Sequence, residues 1–550
     1  MKLFLRCAQL LFAADSVGLA VDALLHPSSV TKTHMLRYDP GATKLGMSTA
    51  EEVAEKPFFA TSASPAKGAD DVVGEQRRVL GSQENLMLPR QYSPNPDVTF
   101  PSMNHVSCAI LSTVPSESVL RAAIDQVMNA HPLLQCKIEG DGEPDERIDL
   151  FNMVRQGDNN PCTFFSKPGL FSADEVLKVV EVDGNDRVAL DNSWQAAFNK
   201  DLDDGSWCNV ESNPLWKVEL HRLKGDGPCA LLFSFNHAIS DQSSANKLTD
   251  QLVSLMAEIE ASGTVKNPPK KQTIPVSLEE SVLGLNQQWK DVQTEGISPG
   301  TIKYVAGKAG EDAQSPVIMP DGFNNGGGLL GALTTISGNA AGGDDEKSLE
   351  RRSILQFRKL SSDATQALLA KCRENGVSIT NALSAAATLT ATDFIDNGEK
   401  SGKERVYKVL QSLDMRRYGQ KLDKGESVGC QAGSMDLMHG PLSDRTGEKL
   451  RSNPTANRMD QFWSLAKDGR AQTGKFIESD GPLHAVRVFD FAMTIADLNN
   501  LVHLTAQSKD SQGRAYSVGF TNAGVYEQLD AFSREGETEK NSLKVCEFCC

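Results

Sequence analysis

Residues 231–241 read Leu-Leu-Phe-Ser-Phe-Asn-His-Ala-Ile-Ser-Asp. Residues 229–235 are almost all apolar, which predicts a β-strand that is buried on both faces. From residue 241 to residue 259 the apolar positions follow the helical period and share one side, at Ala245, Leu248, Leu252, Leu255 and Ile259. The sequence therefore predicts a strand, a turn and a helix, and His237 lies in the turn, where rigid elements can hold a reactive group.

His237 and Asp241 form the pattern His-x-x-x-Asp. A neutral imidazole, which titrates near pH ~6.5, can take a proton from a hydroxyl or an amine. A carboxylate four residues later can hold the shape of the turn through a salt bridge. The pattern alone is weak evidence, because a histidine that precedes an aspartate helix cap would look the same.

The composition limits the classes of function. The chain has 550 residues, with 56 Lys and Arg against 72 Asp and Glu, and a net charge of −16. This negative charge repels phosphate backbones, so no nucleic-acid partner is expected. No apolar run reaches the ~18 residues that a membrane-spanning helix needs. The eleven cysteines are scattered, and the tail pattern Cys546-x-x-Cys549 has no second pair, so no metal site is predicted.

Shifts in composition divide the chain into five segments. Residues 27–80 are rich in Ser, Thr, Ala, Lys and Glu without a sustained period, which favours disorder. Residues 322–343 contain eight glycines, which favours a linker. The predicted segments are a disordered leader with a possible targeting segment (1–80), an N-terminal lobe (81–259), a crossover linker (260–349), a C-terminal lobe (350–535) and a flexible cysteine-containing tail (536–550).

Helix signals appear in both lobes. Ser116 is predicted to begin a helix that ends at His131-Pro132, because its apolar positions have the helical spacing. Its predicted buried face consists of Val119, Ala122, Ala123, Val127 and Met128. In the C-terminal lobe, the Ala-rich stretch 380–394 is predicted to be a buried helix.

Six short segments, in the same order, resemble the chloramphenicol acetyltransferase-like superfamily. This superfamily includes alcohol acyltransferases, plant BAHD acyltransferases, peptide-synthetase condensation domains and mycobacterial polyketide-associated acyltransferases. The resemblance covers roughly residues 84–535. The segments are 119–135, 213–218, 236–241, 376–383, 413–417 with 429–430, and 520–524.

The resemblance implies an α/β fold with two pseudo-symmetric lobes of mixed sheet and helices, and a substrate tunnel between the lobes. A thioester donor and an acceptor would enter from opposite sides and meet at His237. His237 would deprotonate the acceptor OH or NH, which then attacks the thioester carbonyl without an acyl-enzyme. Asp241 would be structural and paired with an arginine, for which Arg416 and Arg417 are both candidates.

The oxyanion of such a reaction needs hydrogen-bond donors. Asn236, Thr521 and Asn522 are candidates, because they flank the motif or lie on the late strand that the resemblance indicates. Ser243 and Ser244 are better explained by helix capping. Gln242 stands where the superfamily usually has glycine, and its side chain is expected to narrow the tunnel.

The predicted function is transfer of an acyl group to an alcohol or amine, with ester formation preferred. The donor would be acyl-CoA or another carrier thioester, used as a co-substrate, and the acceptor a small molecule; no permanently bound cofactor is expected. The alternative is a catalytically silent, condensation-like protein that binds ligands or partners, which Gln242 favours. The expected location is the cytoplasm, with an organelle or the secretory pathway as the alternative.

Overall fold

A computed structural model provides the structure of the chain. The chain divides into two compact units, Met1–Val72 with Gln288–Asp291, and Val73–Gln287 with Val292–Cys550. All of the residues that the structure describes lie in the second unit. They are residues 75–87, 103–139, 163–203, 207–210, 212–225, 227–283, 299–314, 316–318, 323–324, 353, 355–395, 404–419, 428–443, 456–495, 516–524, 526, 543 and 545–549.

Helices and strands alternate along the chain. The strands are β1 (Gln76–Val79), β2 (Asn104–Leu111), β3 (Cys136–Glu139), β4 (Thr163–Ser166), β5 (Leu177–Glu181), β6 (Trp216–Arg222), β7 (Cys229–Asn236), β8 (Val317–Ile318), β9 (Phe323–Asn324), β10 (Glu404–Asp414), β11 (Ala432–Ser443), β12 (Val518–Phe520) and β13 (Val545–Cys549). The helices are α1 (Ser82–Met87), α2 (Glu117–Ala130), α3 (Ala173–Val176), α4 (Arg187–Asp203), α5 (Gln242–Ser262), α6 (Leu278–Leu283), α7 (Pro299–Asp312), α8 (Ser362–Glu374), α9 (Ile379–Ile395), α10 (Ala456–Glu478) and α11 (Gly481–Ile495). Short 3₁₀ helices span Pro132–Gln135 and Met415–Tyr418.

The predicted buried strand is β7, in the middle of the first large sheet. This sheet has the order β13-β2-β7-β6-β5, and β7 pairs antiparallel with both β2 and β6. Leu231, Phe233 and Phe235 pack in one core with α2 and α5. Ala230 and Leu232 pack on the opposite face, in a core with α4. Because both faces are covered, an unbroken apolar run is what this strand needs, and the prediction is confirmed.

The two helices that cover this sheet follow their sequence signals. Ser116 caps α2 and accepts a hydrogen bond from the N–H of Val119. The predicted face of α2 is wrong at Ala122, which is exposed, because the inward face runs through Leu120 and Ile124 instead. The predicted apolar side of α5 lies in the same core, and α5 ends at Gly263, whose φ of 70° suits glycine.

The second large sheet has the order β11-β10-β8-β9, and β12 also pairs with β10. Helices α9 and α10 pack against each other, and α10 and α11 pack against β11. The stretch 380–394 lies within α9, so the predicted helix is confirmed. A third, smaller sheet has the order β1-β4-β3.

The predicted linker 260–349 is wrong in part. It contains α6 and α7, and its strands β8 and β9 belong to the second sheet. Thr301, Ala309 and Asp312 of α7 are buried, so this helix is part of the folded body. The glycine-dense stretch 322–343 hid these elements, and it lies outside the described residues except for 323–324.

Both predicted terminal segments also contain structure. Residues 76–79 of the predicted leader form β1, which pairs with β4. The predicted flexible tail contains β13, which pairs antiparallel with β2, and Val545 is buried. Glu547 of this strand bonds to Arg187 at 3.0 Å and to Lys359 at 2.8 Å. These strands are too short for the period of their side chains to identify them.

The described residues also bear on membrane, metal and thiol chemistry. None of their helices is long and apolar enough to cross a membrane. No group of three or more His, Cys, Asp or Glu among them could hold a metal ion. Cys136, Cys208, Cys229, Cys372 and Cys430 are buried free thiols; Cys108 is also buried, and Cys546 is exposed.

A chain that begins at Val73 should melt at the same temperature as the full chain, because Val73–Gln287 and Val292–Cys550 form one compact unit. The matched variant Arg78→Met in the shortened chain should melt lower. Arg78 bonds to both carboxylate oxygens of Glu84 at 2.7 and 2.9 Å, and the Glu84 side chain is 2% exposed. Removing one partner of a buried pair costs ~3–5 kcal/mol. Thermal unfolding followed by circular dichroism measures both; a larger loss from the truncation than from Arg78→Met would contradict the prediction.

Candidate active site

His237 is the first residue after β7, in the turn that leads to α5. The N–H of His237 donates to the carbonyl of Met103 at 3.0 Å. The N–H of Ala238 donates to Oδ1 of Asn236 at 2.9 Å. Asn236 is fully buried, and its side chain also bonds to Cys208. This candidate oxyanion donor therefore shapes the turn.

Asp241 is buried at the other end of the turn and caps α5. Its Oδ1 accepts a hydrogen bond from the N–H of Ser244 at 2.9 Å. Arg416 donates through Nη1 to Oδ2 at 2.8 Å and through Nη2 to Oδ1 at 3.0 Å. The N–H of Gln431 also donates to Oδ2 at 2.9 Å. The carboxylate thus accepts four hydrogen bonds.

Arg416 and Arg417 were both candidate partners of Asp241, and the structure pairs Arg416 with it. The side chains of Asp241 and Arg416 are only 7% and 9% exposed. Arg417 is exposed, and its guanidinium carbon lies 5.2 Å from the centre of the Tyr418 ring. The 3₁₀ helix that follows β10 turns the first arginine inward and the second outward.

Both members of this pair stay charged at neutral pH. Burial acts to raise the pKa of Asp241, but the charge of Arg416 and the hydrogen bonds together hold that pKa below its ordinary value. Burial acts to lower the pKa of Arg416, and the charge of Asp241 outweighs it, so the arginine pKa is raised. Asp241 therefore carries no proton that it could donate in a reaction near neutral pH.

The segment 428–431, between β10 and β11, is fastened to the turn. Ser244 Oγ donates to the carbonyl of Gly429 at 2.8 Å and accepts from its N–H at 2.9 Å. Arg416 Nη2 also donates to this carbonyl at 3.1 Å. Val428 and Cys430 are buried in the core of the first sheet. Part of the connection between two strands of the second sheet therefore packs against the first.

Ser243 and Ser244 contact the same region of the second sheet. Ser243 Oγ donates to Asp414 Oδ2 at 3.2 Å, and Ser244 bridges to Gly429. The expected helix capping by these serines is wrong, because Asp241 is the cap of α5. Their hydroxyls are used to join the helix to the segment that precedes β11.

Cys430 lies against His237. Its Sγ is 3.8 Å from Nδ1 of His237, and its side chain is fully buried. Burial raises the pKa of the Cys430 thiol, so the sulfur stays protonated at neutral pH. The only sequence signal for Cys430 was its place in one of the six resembling segments, which gave no hint of the contact.

His105 on β2 is a second histidine at the site that the sequence did not indicate. Its ring centre lies 5.6 Å from that of His237. Its Nε2 donates to Oε1 of Gln242 at 3.1 Å, and its Nδ1 is 3.3 Å from Oγ of Ser240. Burial and the neighbouring His237 lower the pKa of His105 to about 4. His105 is therefore neutral near pH 7.

Gln242 has both ends of its side-chain amide engaged. Its oxygen accepts the hydrogen bond from His105, and its nitrogen donates to Oδ1 of Asn246 at 2.7 Å. His105 lies opposite Phe235 in the pairing of β2 with β7, which brings it beside the start of α5. The residue that was expected to narrow a tunnel is held in a fixed position.

Thr521 and Asn522 follow β12, on the second sheet. Asn522 Nδ2 donates to Oγ1 of Thr380 at 2.8 Å, and its Oδ1 accepts the N–H of Gly524 at 2.9 Å. Both Thr521 and Asn522 are exposed. Their role as oxyanion donors stays a prediction, and Asn522 already has both polar atoms bonded.

No protein-family model and no curated protein matches the chain, but solved structures are similar to it. Trichothecene 15-O-acetyltransferase TRI3 from Fusarium sporotrichioides is 13% identical, over 86% of this chain and 85% of its own, with a TM-score of 0.55. The first condensation domain of the calcium-dependent antibiotic synthetase is 11% identical, over 74% of each chain, with a TM-score of 0.49. Polyketide synthase associated protein 5 from Mycobacterium tuberculosis is 13% identical, over 86% of each chain, with a TM-score of 0.46.

The likeness to TRI3 establishes the fold. The chain shares the α/β fold of TRI3, with two large mixed sheets and flanking helices. The α/β fold that the six short segments predicted is therefore confirmed, and the substrate tunnel stays a prediction.

Asp241→Asn should lower the melting temperature strongly, because it leaves the buried Arg416 without its counter-charge, at a cost of ~3–5 kcal/mol. Asp414→Asn is the matched control. Asp414 also contacts Arg416, at 3.3 Å, but its side chain is 51% exposed, so its loss should cost at most ~1 kcal/mol. Thermal unfolding at pH 7 compares the two variants, and equal losses would show that burial of the Asp241 pair has no special effect.

The loss of stability in Asp241→Asn should depend on pH. The native pKa of Asp241 lies below its ordinary value of ~3.9. Its contribution to stability is therefore present above that ordinary value and is lost as the pH falls through the native pKa. The difference in melting temperature between wild type and Asp241→Asn should narrow only in strong acid.

Proposed function

We propose that this protein is an acyltransferase that moves an acyl group from acyl-CoA, or another carrier thioester, to a small-molecule alcohol or amine. An ester is the preferred product. The observation that carries the proposal is the position of His237, which follows β7 on a turn whose far end is fixed by the buried Asp241–Arg416 pair. The acetyltransferase fold supports it, and the donor and acceptor would meet at His237 in a tunnel between the lobes.

In the proposed reaction, His237 takes the proton of the acceptor hydroxyl, and the acceptor oxygen attacks the thioester carbonyl. The tetrahedral intermediate then expels the thiolate, which receives the proton back from His237. The products are an ester and a free thiol, and no bond forms between the acyl group and the protein. Asp241 does not exchange protons in this scheme, because Arg416 keeps it ionised.

The neighbours of His237 suit this role. When the ring accepts a proton, the adjacent His105 remains neutral, since its pKa is about 4, so two positive charges do not meet. Thr521 and Asn522 remain candidate oxyanion donors; one of the two N–H groups of Asn522 Nδ2 already donates to Thr380. Removing a true oxyanion donor typically slows a reaction by ~10²–10³.

The silent alternative depended on Gln242, and the contacts of Gln242 weaken it. A polar side chain beside the base would be harmful if it were free to bind His237 or to fill the acceptor site. Here both ends of the amide are bonded, to His105 and Asn246. Gln242 is thus compatible with an active His237.

His237→Ala should abolish acyl transfer while the fold is retained, because loss of a general base typically costs ~10²–10⁴ in rate. The measurement is the release of free thiol from a panel of acyl-CoAs in the presence of pooled alcohols and amines. His484→Ala, at another half-buried histidine, on α11, is the control and should keep wild-type turnover. A His237→Ala variant with near-normal turnover would disprove the assignment, and a wild type that binds acyl-CoA without releasing thiol would support the silent alternative.

His105→Ala should lower kcat/KM by about 10-fold, because it removes the hydrogen-bond partner of Gln242 and frees that side chain beside His237. In the double variant His105→Ala/Gln242→Gly the loss should be smaller, since no amide is left without a partner. Contacting residues couple by ~0.5–3 kcal/mol in such cycles. The same thiol-release assay measures wild type, His105→Ala, Gln242→Gly and the double variant. Strictly additive losses would mean that His105 and Gln242 act independently.

A further inference from the structure

Cys430 is held where its sulfur faces the ring of His237. The Sγ–Nδ1 distance is 3.8 Å, within reach of a hydrogen bond to sulfur. The N–H of Ala432 also bonds to this sulfur, which fixes the position of Sγ. We propose that Cys430 is a positioning residue, whose sulfur accepts a hydrogen bond from Nδ1–H of His237 and so keeps the Nε2 lone pair free for the acceptor. This inference rests on the proposed function of His237.

The direction of this hydrogen bond follows from the needs of a base. A neutral imidazole has one N–H, and the imidazolium has two. If the Cys430 S–H donated to Nδ1, the ring proton would lie on Nε2, and the nitrogen that faces away from Cys430 could not accept a proton. If Nδ1–H donates to the sulfur, the same contact survives when Nε2 gains the acceptor proton. Only the second arrangement fits both states of the reaction.

A neutral sulfur is also the right partner. Burial raises the pKa of the Cys430 thiol, so Cys430 does not become a thiolate that would trap the imidazolium as an ion pair. A sulfur atom is a weak acceptor, which orients the ring without holding its proton strongly. The carboxylate of Asp241 is bonded to Arg416 instead.

The buried ion pair is linked to His237 through the backbone on either side of Cys430. Gly429, on one side of Cys430, bonds to Ser244 and Arg416. Gln431, on the other side, donates its N–H to Asp241. Because both neighbours are fixed, the direction of the Cys430 side chain is fixed too. Asp241 and Arg416 therefore act on the base at a distance, through the backbone that carries Cys430.

The tautomer of His237 tests the proposal directly and without an activity assay. The protein is labelled with ¹⁵N in its histidine rings, and the His237 signals are identified by their loss in His237→Ala. Long-range ¹H–¹⁵N correlation spectra should show His237 of the wild type protonated at Nδ1. In Cys430→Ala the ring should shift toward the Nε2–H form, which a free imidazole side chain favours. A wild-type ring protonated at Nε2, or an unchanged tautomer in the variant, would overturn the proposal.

Kinetics supplies a second test with a matched control. Cys430→Ala should lower kcat about 10-fold with little change in KM, and should move the acidic limb of the kcat profile to lower pH, because the imidazolium loses an acceptor. Cys372→Ala removes the same atoms from another buried cysteine, 2% exposed in the core of α8 and α9. It should lower the melting temperature but leave kcat and the tautomer unchanged. An equal kcat loss in both variants would mean that Cys430 acts only through packing.

The two levels of the proposal fail in different ways. If His237→Ala keeps its activity, the proposed function fails, whatever the tautomer. If His237→Ala is inactive but the wild-type ring carries its proton on Nε2, only the role of Cys430 fails. The wild-type spectrum needs no folded Cys430 variant, so the proposal can be decided even if Cys430→Ala does not fold.

Discussion

The buried pair of Asp241 and Arg416 constrains everything around His237. Moving two charges out of water is expensive, and a buried pair persists only when its other hydrogen-bonding groups are satisfied as well. Here the N–H groups of Ser244 and Gln431 donate to the carboxylate of Asp241, and the carbonyl of Gly429 accepts a hydrogen bond from the guanidinium of Arg416. These partners lie on two separate pieces of chain, the start of α5 and the segment 428–431. A shift of any one of them would leave a buried charge unsatisfied, so the pair fixes their relative positions.

The pair fixes the orientation of the groups around it more than it raises the free energy of unfolding. Buried ion pairs can often be replaced by apolar residues without a net loss, while removal of one partner is costly. What a well-packed apolar contact could not do is fix direction, because dispersion forces do not depend strongly on orientation. The bidentate contact and two backbone N–H groups fix the position of Asp241. The same hydrogen bonds therefore fix the turn from 237 to 241 and the segment 428–431.

The sequence predicted the elements that depend on local signals. Strand β7 and helix α5 follow from hydrophobic periodicity over one element each, and the cap of α2 from Ser116. The position of His237 and Asp241 between β7 and α5 could be predicted from the same local patterns. The helix α7 was missed because a neighbouring glycine-rich stretch dominated the composition of its segment, and β13 because five residues carry too little periodicity.

The contacts that complete the site could not be predicted in this way, because they depend on pairing between distant segments. His105 reaches His237 through the register of β2 with β7. Cys430 reaches it because segment 428–431 enters the core of the first sheet. Even the choice between Arg416 and Arg417 depended on which of two adjacent residues a 3₁₀ turn directs inward. Hydrophobic patterns do not encode these three-dimensional relations.

Gln242 and His105 show how a local conflict is resolved by a distant residue. A glutamine at the first position of α5 places a donor and an acceptor beside His237, the proposed base, where an unsatisfied amide would be costly or would bind His237 itself. Asn246 satisfies the donor from one turn further along the helix, and His105 satisfies the acceptor from a neighbouring strand. His105 can do this beside His237 because it stays neutral, with a pKa of about 4. A lysine or arginine at position 105 could also donate to Gln242, but its permanent charge would oppose proton transfer to His237. The requirement for a neutral donor therefore explains why an imidazole suits this position.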